Sequence, residues 1–258
     1  MFQTRTARTF RDMGTGVWIL IGGTFLLAGL VKGVIGMGLP TVAMGLLAVV
    51  LPPAEAAALL VVPSLVTNVW QLLAGPSFGA LARRLWPMMA AVMVGTVAGV
   101  GVLAGDRAGL AGLGLGIALM LYAIVGLAGF KLAIAPRHER WLGPTIGLTT
   151  GLVTGATGVF VIPAVPYLQA IGLERDDLIQ ALGLSFTVST IALALGLLRV
   201  DAWHADSIWL SLLALVPALL GMQAGQMLRQ RIAAPTFRRV FFAGLLLLGV
   251  YLVGERLA

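Results

Sequence analysis

The chain has 258 residues, of which 59% are apolar and only 10% are charged. A soluble domain carries about 25% charged residues, so this composition excludes a water-soluble protein with an ordinary polar surface. The formal net charge of +7 does not indicate nucleic-acid binding, because the arginines lie in short stretches between apolar segments, where they set orientation and meet anionic lipid. The chain has no cysteine, which excludes disulfides and cysteine-based metal sites.

Apolar segments recur from one end of the chain to the other, most of them near the length that a helix needs to cross the hydrocarbon. We predict an all-α, polytopic integral membrane protein without a soluble domain. The predicted segments are 17–35, 39–51, 54–75, 85–105, 110–130, 143–157, 159–171, 178–198, 208–228 and 237–253. This divides the chain into a basic N-terminal segment (1–16), a first transmembrane repeat (17–130), a basic inter-repeat loop (131–142) and a second transmembrane repeat (143–258).

The two halves share a motif. The stretch GLVKGVIG at 29–36 reappears as GLVTGATG at 151–158, and each copy is soon followed by a proline, Pro40 or Pro163. Further features match in order, among them the GxxxG patterns at 95–99 and 221–225, which indicates a duplication. Helix-breaking residues inside a bilayer need partners in protein or in a water-filled cavity. Paired breaks at matching places are typical of a transporter site.

Topology depends on segments 39–51 and 159–171, which as helices are shorter than the roughly 30 Å of hydrocarbon. We predict four full transmembrane helices and one short broken or re-entrant segment in each half, with 8–10 crossings in total. Four crossings per half would make the halves parallel, and five would make them inverted. The basic loop residues divide ten to six in either case, so the positive-inside rule does not decide. We prefer four, because short basic N-termini usually stay inside.

Lys32 is the only charged residue well inside an apolar segment, and such a residue is a functional hypothesis by default. The alternative is that it lies near the helix end and extends to the interface. Its glycine neighbours and Pro40 favour an anion site made from a lysine and accessible backbone amides. The second copy of the motif has Thr154 and Thr157 instead of a lysine, and their hydroxyls can donate hydrogen bonds without charge. We predict candidate substrate contacts in the two motifs at Lys32, Gly33, Gly36, Gly38, Pro40, Thr154, Gly155, Thr157 and Gly158.

Small residues spaced by four also let membrane helices pack closely without any substrate. We assign that role to Gly95, Gly99, Gly221 and Gly225. We do not assign it to the glycines at 33–38 and 155–158, because a helix break and a proline follow them.

A polar stripe in segment 54–75 contains Ser64, Thr67, Asn68 and Gln71, and segment 178–198 carries a related one. In a membrane helix such residues can also serve only to form hydrogen bonds with a neighbouring helix. Because the stripe recurs beside each broken motif, we add Ser64, Asn68, Ser185 and Ser189 to the candidate substrate contacts.

All carboxylates lie at segment ends or in loops, so neither a proton relay nor a carboxylate-lined cation site is evident. His138 and His204 lie in loops, and no spacing suggests an intramembrane protease or a zinc enzyme. We therefore predict a protein that is not an enzyme and that uses no metal and no cofactor.

The chain resembles the sulfite exporter TauE/SafE family in its length, its two related halves and the stretch AGLVKGVIGMGLP at 28–40. The resemblance covers nearly the whole chain, although family members often show consecutive glycines where this chain has Met37-Gly38-Leu39. It implies a multi-pass protein of the bacterial inner membrane that carries small anions, often sulfur oxyanions or organosulfonates.

The sequence thus predicts a secondary transporter, an exporter or permease of small anions such as sulfite or sulfonates, with a midplane site between the two broken motifs. Its partners would be the anionic substrate and the lipid bilayer, with no nucleic acid, and a homo-oligomer stays open. Two alternatives are a proton- or cation-coupled carrier of another small organic solute and a membrane-assembly subunit without transport.

Overall fold

The computed structural model describes residues 15–104, 108–129, 132–203 and 205–257. Within these ranges the chain forms ten helices and no strand, which confirms the predicted all-α class. Most of the predicted basic N-terminal segment lies outside the described residues, and so does His204. The helices are α1 Thr15–Ile35, α2 Leu39–Leu47, α3 Pro53–Leu73, α4 Phe78–Ala104, α5 Ala108–Ala128, α6 Pro136–Thr157, α7 Ala164–Ala170, α8 Arg175–Arg199, α9 Ala205–Arg229 and α10 Ala234–Leu257.

Seven of the described helices are long and apolar enough to cross a membrane, namely α1, α3, α4, α5, α8, α9 and α10. The polytopic membrane protein predicted from composition is therefore confirmed. Helix α6 is of similar length, but it begins at Pro136 rather than near Gly143, and its first turns carry Arg137, Glu139 and Arg140. Each half thus has four long helices and one short helix, α2 or α7.

The main helix contacts join the two halves. Helix α1 packs on α9, α4 on α6, α3 on α8 and α5 on α10. Gly29 faces Ala218 and Gly33 faces Met222, so α1 and α9 run parallel. In the same way Gly95 faces Leu148 and Gly99 faces Leu152, so α4 and α6 also run parallel. Each half therefore places its first helix against the third long helix of the other half.

The two halves run in opposite directions. Helix α9 meets α3 at Leu59 through Ser211, and Lys32 of α1 meets α3 at Asn68, so α1, α3 and α9 share one direction. A short turn at 74–77 reverses the chain into α4, which α6 follows in parallel. The first helices of the halves, α1 and α6, are therefore opposed. The arrangement preferred from the sequence, with parallel halves, is wrong, because α2 leads the chain back before α3 begins.

Close backbone approach explains the glycines at the α1–α9 and α4–α6 contacts. A Cβ added at Gly99 would lie 2.7 Å from the carbonyl oxygen of Leu152, and one at Gly151 would lie 2.8 Å from the amide nitrogen of Thr96. Real Cβ atoms do not tolerate such contacts with backbone. Without hydrophobic driving force inside lipid, helices associate through this kind of close packing. The packing role predicted for Gly95, Gly99, Gly221 and Gly225 thus has its physical basis.

Both motifs end in breaks of the helix, as their paired prolines predict. Helix α1 ends at Ile35, and Gly36 and Gly38 take φ angles of 77° and 101°, which side chains with a Cβ rarely adopt. In the second half, Gly158 ends α6 with a φ of 72°, and residues 159–161 form no regular secondary structure before α7. The chain leaves each helix through a left-handed glycine that terminates it.

A serine on α9 provides hydrogen bonds at a third interruption, which a proline makes inside helix α3. Pro63 lies inside α3 and cannot donate the hydrogen bond that the carbonyl of Leu59 would receive in a regular helix. The Ser211 hydroxyl donates to that carbonyl at 2.7 Å and accepts from the Val62 amide at 3.0 Å. A neighbouring helix therefore satisfies the polar backbone that proline exposes, as the bilayer interior requires.

Ser211→Ala is expected to lower the free energy of unfolding by about 1–3 kcal/mol, because it leaves the buried carbonyl of Leu59 without its side-chain donor. In a Pro63→Ala background the regular helical bond can form again, so the same change should cost less than about 1 kcal/mol. Unfolding of the four proteins in mixed micelles gives the double-mutant cycle. Equal costs of Ser211→Ala in both backgrounds would contradict this account.

Candidate functional site

Lys32 is held inside the protein by a chain of hydrogen bonds across three helices. Its side chain is only 4% exposed, and its Nζ donates to Oδ1 of Asn68 on α3. The Asn68 amide nitrogen donates at 3.3 Å to the hydroxyl of Thr190 on α8, which in turn donates to the carbonyl of Phe186 at 2.7 Å. Lys32 therefore does not extend to the interface, and both halves position it.

A cavity of about 1650 Å³ opens from Lys32 to one end of the helix bundle. Five cationic residues line this space, which we call the cationic cavity: Lys32, Arg175, Arg229, Arg238 and Arg239. Among the described residues no carboxylate lines it, although Glu174 and Asp176 flank Arg175 in the chain. Clefts lined by one sign of charge focus the field, so the charge of this lining is of the sign that favours anions over cations.

Neutral polar groups line the same cavity. Gln71 lies on α3 and donates to the carbonyl of Ile179 at 2.8 Å. Tyr122 lies on α5, and its hydroxyl is 3.1 Å from the sulfur of Met37. Thr67 and Gln226 also reach the lining. The hydroxyls of Tyr122 and Thr67 already donate, to the Met37 sulfur and the Pro63 carbonyl, so Gln226 and the second N–H of Gln71 are the neutral donors left for an anion.

Three residues predicted from the first motif line the cavity, namely Lys32, Gly33 and Gly36. Gly33 also packs against the carbonyl of Met222 on α9, so close helix packing explains this glycine too. Gly38 forms the left-handed N-terminal boundary of α2, and Pro40 lies in the first turn of that helix. Neither of the last two residues lines the cavity.

The predicted residues of the second motif lie away from the cavity. Thr154 donates to the carbonyl of Thr150 at 2.8 Å, and Thr157 donates to that of Val153 at 2.7 Å. Gly155 packs against α4, and Gly158 contacts Met44 of α2. The second break reaches the cavity through its proline end instead, by Ile162 and Pro163.

Ser64, Ser185 and Ser189 are fully buried near the middle of α3 and α8. Ser64 lies one turn before Asn68, and Ser185 and Ser189 lie one turn apart. Their hydroxyls have no hydrogen-bond partner among the described residues. Buried polar groups are normally satisfied, so these hydroxyls are available to a ligand or to water. They do not line the cationic cavity itself.

The sequence did not indicate Arg229, Arg238, Arg239 and Gln226 as parts of a site. In the sequence these arginines form a basic cluster between two apolar segments, a pattern that indicates topology and not a site. Their position in the same cavity as Lys32 depends on the packing of α9 and α10 around α1, which spacing alone does not reveal. No group of three or more His, Asp or Glu residues that could hold a metal ion occurs in the described part of the chain.

Comparison with known proteins agrees with this architecture. The family model described as sulfite exporter TauE/SafE matches residues 21–252, a range that includes both helix breaks and every residue that lines the cationic cavity. No match was found among curated proteins or among solved structures. Because the match spans nearly the whole chain, this multi-pass membrane protein belongs to the sulfite exporter TauE/SafE family, a family of membrane transporters of sulfur anions.

Proposed function

We propose that this protein exports small sulfur oxyanions, such as sulfite or sulfonates, across the bacterial inner membrane. The observation that carries the proposal is the buried ammonium group of Lys32 at the inner end of a cavity with four arginines and no described carboxylate. An ammonium group has three N–H donors, and Asn68 accepts one of them. The remaining donors can bind the oxygens of a small anion.

The charge of the bundle ends indicates the side of the membrane to which the cavity opens. Arg229 and Arg239 beside the cavity lie at the same end as Arg84 and Arg140, because α4 and α6 begin where α3 and α9 finish. Among described residues, the opposite end carries Arg199 and Arg256. With the halves opposed in this way, the positive-inside rule favours a cavity that opens to the cytoplasm. Anions would therefore enter from the cytoplasmic side.

The opposed halves suggest how the substrate would leave. In transporters with inverted repeats, one half moves against the other around a fixed site. The Lys32–Asn68–Thr190 chain joins α1 and α3 to α8 of the other half. A movement of one half against the other would therefore change these hydrogen bonds. We infer that the bound anion passes Lys32 toward the unpartnered hydroxyls of Ser64, Ser185 and Ser189.

Transport in proteoliposomes tests the proposal. Labelled sulfite, a labelled sulfonate, sodium and a neutral amino acid should be compared with and without an imposed pH or sodium gradient. We expect sulfite or sulfonate to move and unlabelled anions to compete. Movement of the neutral solute alone, driven by a gradient, would favour the coupled carrier. No movement of any solute by a well-folded protein would favour an assembly subunit.

The arginines of the cationic cavity should govern capture of the anion. We expect Arg229→Gln/Arg239→Gln to raise the KM for the transported anion by about threefold to tenfold at low salt, because the cavity loses part of its attractive field. The difference should shrink as added salt screens the charges. The matched control is Arg137→Gln/Arg231→Gln, which removes two arginines from the same end but outside the cavity. An equal rise in KM in both variants would exclude a specific role of the cavity.

A further inference from the structure

We propose that the cleft between the starts of α4 and α6 binds the headgroup of an anionic phospholipid. The cleft has a volume of about 250 Å³ and lies apart from the cationic cavity. Its lining includes Arg83, Arg84, Trp86, Glu139 and Arg140. This site does not depend on the transported substrate.

The charges in the cleft are not balanced. Arg84 is committed, since its guanidinium forms two hydrogen bonds with the Glu139 carboxylate at 2.7 and 2.9 Å and a third with the carbonyl of Ile171 at 2.9 Å. Arg83 and Arg140 are exposed, and neither has a partner among the described residues. Two guanidinium groups therefore remain for an external anion, and guanidinium pairs well with phosphate oxygens.

The surface next to the cleft is apolar and faces outward. Trp86 is 64% exposed and Trp141 is 58% exposed, and both lie within two turns of the free arginines. Further along the same helices, Val94, Leu148 and Leu152 are also exposed. Aromatic residues of this kind mark the membrane interface, and the exposed aliphatic residues mark the lipid-facing part of the helices.

The cleft thus offers positive charge at headgroup level and an apolar track at acyl-chain level. A phospholipid with a negatively charged headgroup satisfies both, whereas free phosphate would use only the arginines. Basic pockets between membrane helices on the cytoplasmic side are known to suit such lipids. The positive-inside rule places this end of the bundle in the cytoplasm, where the inner leaflet supplies them.

The test compares the full-length protein with Arg83→Gln/Arg140→Gln and with the charge-matched control Arg137→Gln/Arg231→Gln. Each is reconstituted in nanodiscs and exchanged with vesicles of phosphatidylglycerol, cardiolipin or phosphatidylethanolamine, and native mass spectrometry counts the lipids that stay bound. The arginines of the first variant are exposed and unpaired, so folding should be unchanged. Thermal melting verifies this.

We expect the wild type and the control to retain phosphatidylglycerol or cardiolipin in preference to phosphatidylethanolamine. The cleft variant should bind the anionic lipids about thirtyfold more weakly, since each arginine near an anionic surface contributes about fivefold. Inorganic phosphate at millimolar concentration should not displace the lipid. Equal retention in the cleft variant, an equal preference for phosphatidylethanolamine, or full displacement by phosphate would overturn the proposal.

Discussion

Replacing Lys32 with alanine is expected to lower the transport of sulfur anions by about a hundredfold. The lysine is the one described cation at the buried end of the cationic cavity, and hydrogen bonds to a charged group are worth about 1.5–3 kcal/mol. Lys32→Arg should recover only part of the activity, because a planar guanidinium does not replace a compact ammonium group beside Asn68. Initial rates of labelled sulfite movement in proteoliposomes measure both effects.

The control must separate transport from folding. Lys32→Ala leaves the Asn68 carbonyl without its partner, which by itself can destabilise the protein. Lys32→Ala/Asn68→Leu removes both members of the pair, so its stability should return close to that of the wild type while transport stays lost. Wild-type transport by Lys32→Ala would show that the lysine only stabilises the fold.

Gly99→Leu is expected to lower the free energy of unfolding by about 3 kcal/mol or more and to reduce the yield of folded protein. The added side chain would meet the backbone of Leu152 and Ala156 on α6, and backbone cannot move aside without separating the two helices. Reversible unfolding in mixed micelles, or the melting temperature in detergent, measures the loss.

Gly101 on the same helix supplies a matched control. A Cβ added there has no atom within 4 Å, and the position is exposed. Gly101→Leu should therefore change stability by less than about 1 kcal/mol, and in the stabilising direction, because leucine is the better helix former. Similar losses at both positions would mean that contact between α4 and α6 does not cause the effect.

The sequence predicted the helix breaks more reliably than the contacts between helices. Glycine and proline act through the local backbone, so the ends of α1 and α6 could be located from Gly36, Gly158 and the prolines that follow. The sequence could not show that Gly33 packs against α9. Predicting that contact requires the position of a helix that lies far along the chain. A packing glycine and a site glycine look alike in sequence.

The positions of the basic residues show the same limit. Lys32 stood out because a charge inside an apolar segment is costly wherever the segment lies. Arg229 and Arg239 look like ordinary loop charges in the sequence, because their place in the same cavity as Lys32 depends on how α9 and α10 pack. Thr154 and Thr157 matched the first motif by repeat position, yet their hydroxyls bond their own helix.

By itself, the sequence determined that this is an all-helical membrane protein with two interrupted motifs and one intramembrane lysine, because hydropathy and helix breaking are local properties of the chain. Only the tertiary structure decided that the halves oppose each other and that the arginines join Lys32 in one cavity. It also decided that Asn68 receives the lysine, whereas Thr154 and Thr157 stay apart. These facts depend on which helices meet, and close packing between distant segments fixes that choice.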